Sequence, residues 1–287
     1  MAITINTNVA ALNAQRRLGN STQELRTSFE RLSSGLRIVR AKDDAAGLAI
    51  ADSLRADGRI ASVAIRNAND GVSLISIADG ALSEVGNVLS RMAELAEQSA
   101  NGVLATSQRS ALDSEFSALG SEIQRIAVTT TFNGLNLLSG GATVQLQVGF
   151  NSSSNSQISF TGVQGTLGSL GLASGNSSQL IYSLNASGAA ANGQAAALSA
   201  LDAVKLAIGS LTTNRGTLGA AESRLSVAVN SLQVARENFA AAESQIRDVD
   251  VAQEAANLTR LNILQQAGAA VLAQANQQPA LALSLLG

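Results

Sequence analysis

Histidine, cysteine and tryptophan are missing from these 287 residues, and there is one proline and one tyrosine. Without thiols there is no disulfide, thiolate nucleophile or zinc–thiolate site, and without imidazole there is no histidine base or ligand. No cofactor or metal is implied. Aromatic residues make up 2% and the net charge is −2, which argues against the basic, aromatic-studded surface of a nucleic-acid binder. Uninterrupted apolar runs fall short of the roughly 20 residues that cross a bilayer, so no membrane partner is expected. The start, MAITINTNVAALNAQRRL, lacks the basic head and apolar run of a cleavable secretory signal.

What is present is aliphatic. Apolar residues make up 46% of the chain, and with so few aromatics they are mainly Ala, Leu, Val and Ile. That suits long helices in side-by-side contact. The clearest pattern is Val204, Leu211, Leu218, Leu225, Leu232, Phe239 and Ile246, one every seven residues. Ala207, Ala221, Ala228, Ala235 and Ala242 fall three residues after five of them. Such a repeat keeps one narrow seam on one side of a helix and calls for a partner helix.

Other segments carry matching seams. Asn6, Thr7 and Asn8 are candidate N-caps for a helix from Val9, with Leu18, Leu25 and Leu32 spaced by seven and Phe29 between them. Gly35 is placed to end it in a left-handed cap. A second long helix is expected from Asp44 to about Gln98, with Leu54, Ala61, Ala68, Ile75, Leu82, Leu89 and Ala96 as its seam. A third carries Leu112, Phe116, Leu119, Ile123 and Ile126. The last is expected over Val251 to Gln277, with Ala255, Leu258, Leu261, Leu264, Ala267, Val271, Leu272 and Ala275 as its apolar positions and Pro279 as its stop. Between Arg125 and Asp202 no residue is charged. There Thr143–Val148 and Gln157–Phe160 alternate like hairpin strands, and the rest to about Gly193 is loop-like. Disorder, packing against neighbours, and sugar on Ser/Thr would each account for that uncharged surface.

The expected fold is therefore mainly α. It is a long antiparallel helical bundle or coiled coil with paired N- and C-terminal helices and a small β-hairpin region in the middle. Its divisions are 1–43 (terminal helix and connector), 44–128 (first half of an outer helical core) and 129–194 (hairpin and low-complexity segment). Residues 195–246 form the second half of that core, and 247–287 form the returning connector and terminal helix.

Several motifs resemble bacterial flagellin. They are Ile5-Asn6-Thr7-Asn8 with Ala10-Ala11-Leu12, Glu30-Arg31-Leu32-Ser33-Ser34-Gly35-Leu36-Arg37-Ile38, and Ala41-Lys42-Asp43-Asp44-Ala45-Ala46-Gly47-Leu48-Ala49-Ile50. Phe132-Asn133-Gly134, Ile263-Leu264-Gln265-Gln266-Ala267-Gly268 and Val271-Leu272-Ala273-Gln274-Ala275-Asn276-Gln277 complete the set. The resemblance implies a subunit that polymerises into the bacterial flagellar filament, secreted through the flagellar export apparatus and located outside the cell. It implies contacts with other copies of itself through Leu18, Leu25, Phe29, Leu32, Leu258, Leu261, Leu264 and Val271. The implied partners are an export chaperone, cap and hook-junction proteins and, in a host, Toll-like receptor five. The matching register places Arg91, Leu95 and Glu115 on that receptor's main contacts. On this reading Arg91 and Leu95 share an outward face, while Leu89, Met92 and Ala96 point into the seam.

Three rivals remain. An enzyme would need more than Asp43-Asp44 or Glu94 with Glu97, which helix caps and solvated charges explain. A flagellar hook–filament junction protein would share the terminal motifs, and a free coiled-coil adaptor would share the seams.

Overall fold

The computed structural model describes residues 7–140, 143–161, 163–175, 177, 179–185 and 190–284. Five α-helices dominate: α1 (Val9–Ser34), α2 (Ala45–Ser99), α3 (Thr106–Thr129), α4 (Ala190–Arg247) and α5 (Val251–Ser284). Four short strands lie between α3 and α4. They are β1 (Thr131–Phe132), β2 (Leu135–Asn136), β3 (Thr143–Gln147) and β4 (Gln157–Thr161). The chain divides into two compact units, one of residues 1–58 and 237–287, the other of residues 59–236.

Side chains start most of the helices. Asn8 Oδ1 accepts from the Ala11 N–H at 3.0 Å, Asp44 Oδ1 from Gly47 at 2.9 Å, and Asp250 Oδ1 from Ala252 and Gln253. Each satisfies first-turn donors that lack an intrahelical partner. Of the other two cap candidates, Thr7 precedes the cap and Asn6 lies outside the described residues. Gly35 ends α1 at φ 72°, a left-handed position that glycine adopts without a Cβ clash. Pro279 does not stop α5, whose backbone stays helical to Ser284. The ring removes one i→i−4 hydrogen bond, and the turns on either side carry the helix past it.

In the larger unit, α2 and α4 run antiparallel. Gly71 faces Leu225, Asp79 pairs with Arg215, and Gly86 faces Leu211. The seams are the core. Ala61, Ala68, Ile75, Leu82, Leu89 and Ala96 have no exposed surface, and Val204, Leu211, Leu218 and Leu225 are buried against them. From α3, Phe116 and Ile123 join the same core. Asn133 and Gly134, at φ 49° and 78°, make the two-residue turn between β1 and β2. Strands β3 and β4 pair antiparallel with Val144 opposite Phe160 and Leu146 opposite Ile158. Gly71 makes room for that hairpin, since a Cβ there would stand 2.1 Å from Leu146 Cδ1.

The stretch read as loop is part of the core. Val163, Leu167, Leu170, Leu172, Ala173 and Leu184 are all buried, and α4 already starts at Ala190. Leu172 N–H donates to Leu167 O at 2.9 Å and Ile181 N–H to Leu172 O at 3.0 Å. Asp113 Oδ1 accepts from Leu184 N–H at 2.7 Å. These leucines have neither a helical nor a strand period, so a periodicity search passes over them. Helices α2 and α4 also contain windows apolar enough, by length and composition, to cross a membrane. Their buried positions are seam residues of a helical core.

Candidate functional site

In the smaller unit, α1 and α5 form an antiparallel pair. At one end Asn8 Nδ2 donates to Ala275 O at 2.8 Å. Midway, Gly268 brings α5 so close that a Cβ there would lie 3.3 Å from Leu18 Cδ1. At the other end the connectors meet. Arg37 N–H donates to Arg247 O at 2.6 Å and Val249 N–H to Gly35 O at 3.0 Å, with Leu36 and Asp248 bridged antiparallel. The Arg37 guanidinium also donates to Ile246 O, placing positive charge on the carbonyl end of α4.

The first connector is held by its own charges. Asp43 Oδ2 accepts from the Arg40 N–H at 3.0 Å and the Val39 N–H at 3.3 Å. The Arg40 donor, foremost, holds the Asp43 carboxyl below its ordinary range, with the Val39 donor and the fields of Arg31 and Lys42 helping against desolvation. Arg40 pairs with Glu30 at 2.7 Å. Ile38 is buried beneath the loop. Arg55 Nε donates to Glu243 Oε1 at 2.8 Å, tying the start of α2 to the end of α4 within this unit. Asp43-Asp44, weighed as a paired-carboxylate site, is therefore occupied with capping backbone N–H groups.

The eight expected interface residues divide. Leu18, Leu25, Leu32 and Leu258 are half-buried and Leu261 is fully buried, so these close the α1–α5 pair. Phe29, Leu264 and Val271 are 55%, 45% and 58% exposed. Val9, Leu12, Val251 and Ile263, which were not singled out, are exposed as well. A large aromatic or branched side chain in water gives up roughly 1.5–3 kcal/mol of available burial, so these seven are apolar surface left for a partner to cover.

In the larger unit, Arg91 is half exposed and bridges α2 to α3. Its Nε and Nη2 donate to Glu115 Oε1 at 3.0 and 2.9 Å, and Nη1 to Glu94 Oε2 at 3.0 Å. The Glu115 hydrogen bond, followed by that of Glu94, raises the pKa of the guanidinium. Leu95 is not beside Arg91 on an outward face. It has no exposed surface and belongs to the core with Met92 and Ala96. Residues four apart in a helix are offset by about 40°, enough here for one to be buried in the core and the other left half in water.

Sequence reasoning also passed over Arg109, which is 1% exposed. Its Nε donates to Ser99 O at 2.9 Å and Nη2 to Asn101 O at 2.8 Å. The cation thus caps the carbonyl end of α2 from inside. Its signal, an arginine three residues before the seam of α3, looks like any solvated helix charge. Among the described residues no cluster of acidic side chains is arranged to hold a metal.

The match to known families settles what these helices belong to. Residues 5–143 match the bacterial flagellin N-terminal helical region, and residues 201–286 match the bacterial flagellin C-terminal helical region. The chain belongs to the bacterial flagellin family. It is 44% identical to a flagellin of Halalkalibacterium halodurans over 98% of this chain and 99% of that one. To a flagellin of Bacillus subtilis it is 40% identical, again over 98% and 99%. A solved Vibrio parahaemolyticus structure, assigned to the flagellar hook-associated proteins, shares the fold at a TM-score of 0.56. That likeness covers 72% of this chain and all of that one at 16% identity, and it speaks to the fold alone. As a flagellin, the chain is a structural subunit that polymerises into the bacterial flagellar filament, and the family is one of structural proteins rather than enzymes. The flagellin termini are the α1–α5 pair with its exposed apolar side chains.

Proposed function

We propose that the α1–α5 pair is the principal polymerising element and that its exposed apolar side chains are buried by the same pair in neighbouring subunits. The observation that carries this reading is the division of the interface set. Leu18, Leu25, Leu32, Leu258 and Leu261 are spent within the pair, while Phe29, Leu264 and Val271 are left in water. On this reading residues 1–43 and 247–287 form the inner part of the filament, residues 44–128 and 195–246 the outer helical part, and 129–194 the outer hairpins. A contact between different patches on identical subunits, with a rotation that does not close, generates an open helix. The subunit travels through the flagellar export apparatus with a chaperone and is placed at the tip beneath the cap and beyond the hook-junction proteins. Removal of the chain after Asp250 tests the core of this. The truncated subunit keeps the larger unit folded and loses seeded filament growth under electron microscopy, whereas normal growth rules the reading out.

A second reading concerns the outer face of α2 and α3. We infer that Arg91 and Glu115, joined across the two helices and about half exposed, form the part of the surface read by Toll-like receptor five. Leu95 then acts from beneath by packing α2 on α3 rather than by touching the receptor. A reporter assay on monomer distinguishes these roles. Arg91→Ala with Glu115→Ala lowers signalling without moving the melting temperature appreciably, and unchanged signalling removes the assignment.

A further inference from the structure

Three asparagines are followed by glycine: Asn101, Asn133 and Asn192. In such a pair the glycine amide nitrogen, unshielded by a side chain, can attack the asparagine Cγ. The N–Cγ bond forms, the Cγ–Nδ2 bond breaks, and the proton lost from the glycine amide is relayed through water to the departing nitrogen, which leaves as ammonia. Water then opens the five-membered imide to aspartate or isoaspartate. In a folded chain three conditions govern the step. The glycine N–H must be free, the side-chain carbonyl must be polarised, and the local backbone must be able to bring the two atoms together.

We propose that the turn between α2 and α3 is a self-modifying site, where Asn101 deamidates in the native subunit ahead of the other two. Asn101 Oδ1 accepts a hydrogen bond from the Val103 N–H at 3.3 Å. That donor draws electron density from Cγ and is already in place for the oxyanion that forms on attack. Gly102 N–H donates to nothing among the described residues, Gly102 is exposed, and nothing stands within 4 Å of where its Cβ would be. The turn lies outside any helix or strand ladder.

The other two pairs are held. Asn133 sits in the left-handed region at φ 49°, in a two-residue turn clamped by the Phe132–Leu135 pair. The paired strands fix the backbone on both sides of this turn, and leaving it opens the hairpin. Asn192 and Gly193 lie in the first turn of α4. Gly193 is packed against Arg109, whose Nη1 would be 3.2 Å from an added Cβ, so this peptide cannot swing without unwinding the helix end.

The product alters a specific anchor. Conversion leaves a carboxylate at position 101, whose main-chain carbonyl holds Arg109 Nη2. The isoaspartate form also adds a methylene to the backbone of the turn. Each subunit thus carries a chemical clock in its α2–α3 turn.

Full-length monomer held at mildly alkaline pH, with peptide mapping of aspartate and isoaspartate over time, tests this. In the folded chain, conversion at Asn101 leads and Asn133 and Asn192 lag. In denaturant the three sites converge. Gly102→Ala, which meets no neighbour and is not at a positive φ, removes the fast conversion while leaving the fold unchanged. Equal or faster conversion at Asn133 or Asn192 in the folded chain overturns the proposal. So does an Asn101 that stays intact while the denatured chain reacts, or a rate unaltered by Gly102→Ala.

Discussion

At the scale of single residues, the polar groups decide where the helices stop and turn, and Arg109 is the sharpest case. Its buried guanidinium holds the carbonyls of Ser99 and Asn101, the first of which the end of α2 would otherwise leave unpaired. Arg109→Met keeps much of the volume and orphans the Ser99 carbonyl, which costs about 1–3 kcal/mol. Urea unfolding of the monomer is expected to show that loss as a lower midpoint. The Asp79 carboxylate, paired with Arg215 at 2.7 Å, is exposed and contributes less, on the order of 0.2–1 kcal/mol. The Arg215 hydrogen bond depresses its pKa below the ordinary carboxylate value. Its contribution is therefore full above the unfolded carboxylate pKa and is lost as the pH falls through the folded one. Asp79→Asn should lower the melting temperature slightly at neutral pH, with the difference from the parent chain vanishing in acid. None of these roles was legible in the sequence. Arg109 and Arg215 look alike on a helical pattern, and only the packing around them separates a buried cap from a surface pair.

At the scale of elements, the heptad seams were legible because burial on a long helix repeats with the helix. The seams of α2 and α4 meet along Gly71–Leu225 and Gly86–Leu211. Each glycine along α2 that faces a leucine of α4 lets the helices close on small side chains. Leu225, with no exposed surface, packs in that contact. Leu225→Ala should cost about 2–5 kcal/mol of monomer stability, and an unchanged thermal midpoint would show that the α2–α4 contact is not held there. The segment 163–184 was not legible for the complementary reason. Its leucines are spaced by the turns at Gly171 and Gly175, both at positive φ, and not by any regular period. Pro279 misled in the other direction, because a rule about helix interiors is an energetic tendency that a long helix can absorb. Leu95 shows the limit of face arithmetic. Spacing placed it with Arg91, and tertiary packing placed it in the core.

At the scale of the whole molecule, the seven-residue repeats predicted partner helices, and the two compact units contain them. What neither repeats nor packing within one chain accounts for is the exposure of Val9, Leu12, Phe29, Val251, Ile263, Leu264 and Val271 on the paired terminal helices. A monomer gains nothing from these side chains, and a polymer that buries them gains a large hydrophobic contribution at every subunit added. This is the physical link between the flagellin sequence and filament growth. The most direct test is microscopy of assembled filaments at side-chain resolution. The account predicts that Phe29, Ile263, Leu264 and Val271 lose their exposure against residues of α1 and α5 from other copies. Filaments in which these four side chains still face solvent would contradict it.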